Sequence, residues 1–170
     1  MAFFNKTEDN HSRLDWQILQ NGWTSLYLNK EFLKEDIQWF VKENFKIITM
    51  DCSGWIDKTT IHQDISKGLG FPDYYGMNLD ALNDCVWQLE IEQAGLVIVF
   101  VSFEVVEKEY AYQLLDIFAC NSRQHALFGD KLITLVQVND GRYECEPVGA
   151  SPVIWNQREW LNKSRNIISQ

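Results

Sequence analysis

An α/β fold with a mostly parallel sheet is the fold class this 170-residue sequence predicts. Three observations carry that prediction. Short apolar runs alternate with segments of helical period from about residue 25 to residue 138, the order expected of repeated strand–helix units. One run, Leu96 to Val101, is apolar throughout and reads as a strand covered on both faces. Apolar residues make up 46% of the chain, with seven Trp and ten Phe, enough for a real core at this length.

Met1 to Ser12 reads as a frayed tail. Ser25 to Leu28 is a short strand after the Asn21-Gly22 turn. Asn29 caps a helix from Lys30 to about Lys42, whose apolar positions Phe32, Leu33, Ile37, Phe40 and Val41 recur at three and four residues. Lys46 to Met50 is the next strand, with Asp51 at its carboxyl end. Asp57 opens a helix to about Leu69, with Ile61, Ile65 and Leu69 on one face. Phe71-Pro72 ends it, because a residue before proline disfavours the helical region. Asn78 caps a helix to about Leu89, with Leu79, Leu82, Val86 and Leu89 inward. Gly95 precedes the apolar strand. Val106 to about Ser122 is a long helix carrying Tyr110, Leu114, Leu115 and Phe118, and Lys131 to Val138 is a further strand. Asn139-Asp140-Gly141 is a hairpin signal, so Arg142 to Glu146 is expected to pair back antiparallel. The end, with Pro147, Pro152, Trp155 and Trp160, lacks a clear period and reads as a packed loop with a short terminal helix. No repeat, low-complexity tract or linker divides the chain.

The formal net charge is -9. Such a chain repels nucleic acid and anionic membrane and attracts a basic partner, so neither nucleic acid nor membrane is expected as a direct partner. Cys52, Cys85, Cys120 and Cys145 are widely spaced, and His11, His62 and His125 are scattered; no zinc pattern results. The cysteines read as reduced and mostly buried. No cofactor or metal is expected. Met1 to His11 does not read as a signal peptide, and Leu96 to Val101 is too short to cross a bilayer, so the expected location is cytoplasmic.

Forty consecutive residues, Gly68 to Glu107, hold seven carboxylates and no Lys or Arg. Asp80 and Asp84 lie four apart on one helix and share a face opposite Leu79, Leu82 and Val86, with Asn83 and Trp87 flanking them. Like charges at this spacing cost a few tenths of a kcal/mol, which a cationic partner relieves. Asp80 also sits in the first turn, where the helix dipole favours an anion. Ahead of the helix, Tyr74 and Tyr75 offer rigid contact area. Gly76 permits a tight approach to the cap or a positive φ. Carboxylates beside Tyr bind Arg or Lys through charge-assisted bonds. The residues alone leave two readings. One is a solvated helix face with one Tyr packed in the core. The other is a partner surface built from Asp73, Tyr74, Tyr75, Gly76, Asn78, Asp80, Asn83, Asp84 and Trp87.

Catalytic readings fit less well, and no catalytic residue is assigned. Sugar hydrolysis needs carboxylates across a cleft, whereas Asp80 and Asp84 project side by side. Gly68-Leu69-Gly70 lacks the later glycine of a dinucleotide loop. Asp57-Lys58-Thr59-Thr60 reads as a helix cap, His62 and His125 as ordinary surface or half-buried residues, and Cys85 as a buried helical thiol. Trp16, Trp23, Trp39 and Trp55 are expected to hold the N-terminal segment against the sheet. A non-inhibitory binding module and a small metal-dependent hydrolase using Asp51, Asp73 and Asp80 stand as alternatives.

The stretch Phe71 to Cys85, FPDYYGMNLDALNDC, resembles the signature of the barstar family, intracellular inhibitors of the ribonuclease barnase. The resemblance extends more weakly from about Lys46 to Val138. It implies a short, mainly parallel sheet flanked by helices. Residues 1–45 then form an added N-terminal strand–helix unit packed on a 46–138 core, and 139–170 a C-terminal hairpin extension, in one compact unit. By the same resemblance, Tyr74 matches the inhibitory loop tyrosine, Asp80 the first inhibitory aspartate and Asp84 the dominant one. Asp84 then occupies a pocket meant for substrate phosphate, facing catalytic Arg and His. Gly76 matches the glycine at a close backbone contact, and Leu79, Ala81 and Leu82 match structural positions. Barnase and its inhibitor are also a reference pair for charge-steered association and for an aspartate hot spot. Three positions depart from the family pattern. Asn83 stands where the family has a tryptophan, Cys120 where it has a further glutamate (Asp116 is one turn away), and Met77 where it has a polar residue. The implied partner is a basic ribonuclease or a related toxin.

Overall fold

A computed structural model describes residues 3–167. Helix α1 (Leu14–Gln20) leads into β1 (Thr24–Tyr27), α2 (Lys30–Lys42) and β2 (Lys46–Asp51). Helices α3 (Lys58–Leu69) and α4 (Leu79–Trp87) precede β3 (Leu96–Val101). Helix α5 (Lys108–Ala126), β4 (Leu132–Gln137) and β5 (Ile154–Trp155) follow. The strands form one sheet in the order β2-β3-β4-β1-β5, every neighbouring pair parallel.

Connection handedness decides where the helices lie. From β1 the chain crosses to the far edge at β2, then steps back through β3 and β4 and finally over β1 to β5. Parallel crossovers are right-handed, so reversing direction switches faces. Accordingly, Ile18 of α1 and Leu33 and Phe40 of α2 pack on Tyr27, Val97, Val99, Ile133 and Leu135. The opposite face, with Leu26, Ile98, Phe100, Leu132 and Val136, carries α3, α4 and α5 through Ile65, Leu82, Val86, Leu114 and Phe118. Strands β3 and β4 are covered on both sides, which accounts for the unbroken apolar run of β3 and for the burial of every residue of β4, Thr134 and Gln137 included.

Local signals set most boundaries. Asn29 accepts hydrogen bonds from the amides of Glu31 and Phe32, and Asp57 from Thr60. Helix α3 stops at Gly70, left-handed at φ 68, just before Phe71-Pro72. Helix α4 ends at Trp87, short of Leu89, and α5 begins at Lys108 behind Glu107, whose carboxylate accepts from the amides of Glu109 and Tyr110.

The expected C-terminal hairpin does not form. Residues 142–146 contain no strand, because β4 is flanked by β3 on one side and β1 on the other and has no free edge to offer. Asp140 instead makes a turn, accepting from the amide of Arg142 on its carboxylate and from that of Tyr143 on its carbonyl. The chain then crosses α5 and supplies β5 in parallel beside β1. Two short 3-10 turns, Gln157–Glu159 and Asn162–Arg165, stand where a terminal helix was expected.

The N-terminal tail also differs from expectation. Met1 and Ala2 lie outside the described residues. Beyond them Asn10 is buried and donates to the carbonyls of Asn5 and Glu8, and α1 follows with buried Asp15 bound by Lys131 Nζ at 2.8 Å. Trp16 packs on Phe4 and His11, and Trp39 on Phe40 under Arg13. Trp23 and Trp55 belong to the opposite face, Trp55 against Phe100 and Phe103. Cys52 is buried and its thiol is pushed far up by burial; Cys85, Cys120 and Cys145 are half-buried, and all four are free. No helix among the described residues is long and apolar enough to cross a membrane.

Candidate partner-binding site

The loop between α3 and α4 divides its two tyrosines. A turn closed by the Tyr75 amide on the Pro72 carbonyl sends Tyr75 inward and Tyr74 outward. Tyr74 is 81% exposed. Tyr75 is buried, its ring 5.0 Å from that of Phe71 and its phenol 2.5 Å from Nδ1 of His62. His62, only 1% exposed, meets the phenol of Tyr110 through Nε2 at 2.6 Å. A neutral imidazole donates to one phenol and accepts from the other, so both nitrogens are satisfied. Burial, assisted by the charge of Lys58, holds the His62 pKa below its ordinary value. Burial also pushes both phenols upward. This Tyr75–His62–Tyr110 chain ties the loop to α3 and α5.

Gly76 and Asn78 frame the helix entrance. A Cβ on Gly76 would stand 3.2 Å from both the Ala81 Cβ and the Asn78 Nδ2, so its role is close approach. The positive φ falls at Met77, at 56°. Asn78 donates to the Gly76 carbonyl and accepts from the Ala81 amide, which is N-capping in its usual form.

Helix α4 turns Leu82 and Val86 into the core and leaves Asp80, Asn83, Asp84 and Trp87 exposed. Among the described residues neither aspartate belongs to an ion pair. Asn83 accepts from the amide of buried Asn121 on α5 at 2.9 Å. Asp116, the carboxylate nearest the position of the missing family glutamate, accepts from the Gly149 amide at 2.8 Å and so holds the C-terminal crossover. Cys120 is half-buried with its thiol pushed up by burial.

Of the nine residues expected at the site, Asp73, Tyr74, Gly76, Asn78, Asp80, Asn83, Asp84 and Trp87 are exposed. Tyr75 faces the interior, and Gly76 and Asn78 serve the cap. The sequence reading took His62 and His125 for surface or half-buried residues, whereas both are buried; it placed Tyr110 on its helix without this role and did not name Asn121. His62 had a legible signal, since it follows Ile61 and precedes Ile65 by three on the buried stripe; Asn121 had none. Among the described residues no group of three His, Cys, Asp or Glu is placed to hold a metal ion, and Asp51 accepts from the Ser53 amide as a turn cap.

Fold and sequence match together define the class. The chain belongs to the family described as Barstar (barnase inhibitor), which matches residues 45–137, more than half of its length. Members of that family are inhibitors and not enzymes. A stretch of 26 residues is 62% identical to the "Putative ribonuclease inhibitor YrdF" of Bacillus subtilis (strain 168). That stretch covers 15% of this chain and 29% of the relative's length.

Proposed function

We propose that this protein is a cytoplasmic, immunity-type inhibitor that blocks the active site of a basic ribonuclease of the barnase type, or of a related toxin. The observation that carries the reading is the exposed pair Asp80 and Asp84, in no ion pair among the described residues, on the helix that follows the outward phenol of Tyr74. Ionised carboxylates are acceptor-only. They fill an enzyme's cationic pocket and present no bond to cleave. The side-by-side projection from one short helix suits insertion into another protein's site better than catalysis across a cleft. The His62 chain supports the reading further, because a loop fixed before binding loses less entropy on contact.

The test is the affinity for barnase, as the probe nuclease, of the wild-type protein and of Asp84→Ala by calorimetry. Removing one partner of a desolvated charge pair costs at least about 2 kcal/mol, so the variant is expected to bind about thirtyfold more weakly or worse, with an unchanged melting temperature. Equal affinity of the two proteins rejects the role of Asp84.

A further inference from the structure

Just past the end of α5, Leu127 and Phe128 face water beside Trp87 of α4. Leu127 is 83% exposed, Phe128 67% and Trp87 41%. The cluster is held in place. The Phe128 ring lies 5.7 Å from that of Trp87, and the His125 ring 5.8 Å from it. His125 Nε2 donates to the Val86 carbonyl at 2.9 Å, which fastens the end of α4 to α5. The amides of Gly129 and Asp130 close α5 on the carbonyls of Ala126 and His125, the paired bonds of a glycine-terminated helix. Asn83 faces Asn121 and Trp87 faces His125, so the two helices run side by side. The apolar end therefore continues the Asp80–Asp84 face.

We infer that Trp87, Leu127 and Phe128 form the second half of the partner footprint, seating an apolar rim beside the cationic centre that Asp84 enters. This rests on the inhibitor reading above. Two points favour a basic nuclease over a second copy of the chain as occupant. A symmetric pair using this face would bring the two acidic helices into one interface, in a chain of net charge -9. And α4, nine residues long, spans only about 13 Å, a narrow strip against the ~800 Å² per partner of a stable interface. The end of α5 widens that strip with fixed aromatic surface, the kind that excludes water around a charged anchor.

The test is the binding kinetics of barnase, at low and high salt, with wild-type protein, Asp84→Ala, Leu127→Ser and Leu127→Ser/Phe128→Ser. The double variant is expected to release barnase about tenfold faster, with unchanged association rate and salt slope, since apolar contacts act on release and rim charges on encounter. Leu127→Ser alone moves part of the way, and carries the test if the double variant melts earlier. Release unchanged in both, with Asp84→Ala weakened, overturns the patch and leaves the acidic-helix reading standing. Binding that is absent, or indifferent to Asp84→Ala, overturns both. A wild-type dimer that Leu127→Ser dissociates assigns the patch to a second copy and overturns the inference.

Discussion

Tyr74 and Tyr75 are chemically identical neighbours with opposite fates, and the residue that separates them is His62. Its ring is buried between two phenols, and its folded pKa lies below the ordinary 6.5. The sign follows from linkage. The folded state binds the proton less readily than the unfolded chain does. The stability His62 contributes is therefore complete above about pH 6.5 and is lost as pH falls through the folded value. Lys58 faces it from its own helix α3, Tyr110 from α5 and Tyr75 from the loop, and Glu107 and Cys85 lie near that cluster. Urea titrations across this range are expected to show a falling midpoint for the wild type and a flatter profile for His62→Gln. Parallel profiles contradict the assignment.

At the scale of elements, α4 depends on its cap. Asn78→Ala removes the acceptor for the Ala81 amide and the donor to Gly76. It is expected to cost about 1 kcal/mol in chemical denaturation and to weaken partner binding, because the same bonds set how the loop carrying Tyr74 leads into α4. No change in stability contradicts the account of the cap. A second element is fixed by one carboxylate. Glu159, fully buried, accepts from the amides of Leu28 and Asn29 and from Asn156, which joins the C-terminal segment to the end of β1. Glu159→Ala leaves those donors unsatisfied and is expected to lower stability by about 1–3 kcal/mol, with equal denaturation midpoints as the contrary result.

These elements also show what a sequence discloses. The bounds of α2 were legible because cap and period agree from Asn29 to Lys42, and β3 because its run is wholly apolar. The acidic face was legible because helical spacing alone places Asp80, Asp84 and Trp87 on one side. The hairpin was misread because Asn139-Asp140-Gly141 is a local signal, whereas its failure is topological: β1, more than a hundred residues upstream, already occupies the edge of β4. The fate of Tyr75 was illegible for a related reason, since it is set by His62 thirteen residues away. Leu127 and Phe128 resemble any helix end until the packing of α4 on α5 places them beside Trp87.

For the whole molecule, the sheet order makes β1 an interior strand, and under the proposed function the excess of acid sets the expected character of association. On the inhibitor reading proposed above, a net charge of -9, with Asp80 and Asp84 in no ion pair among the described residues, draws in a basic partner over a Debye length of about 10 Å at 0.1 M salt. The association rate is expected to fall steeply as salt rises, while dissociation changes little. A rate indifferent to salt contradicts steering by this face. The central claim concerns a closed active site, and the most direct measurement is RNA cleavage by barnase titrated with this protein. The account predicts loss of cleavage at about equimolar wild-type protein, and a much larger excess needed with Asp84→Ala. Cleavage that continues undiminished under saturating wild-type protein contradicts it.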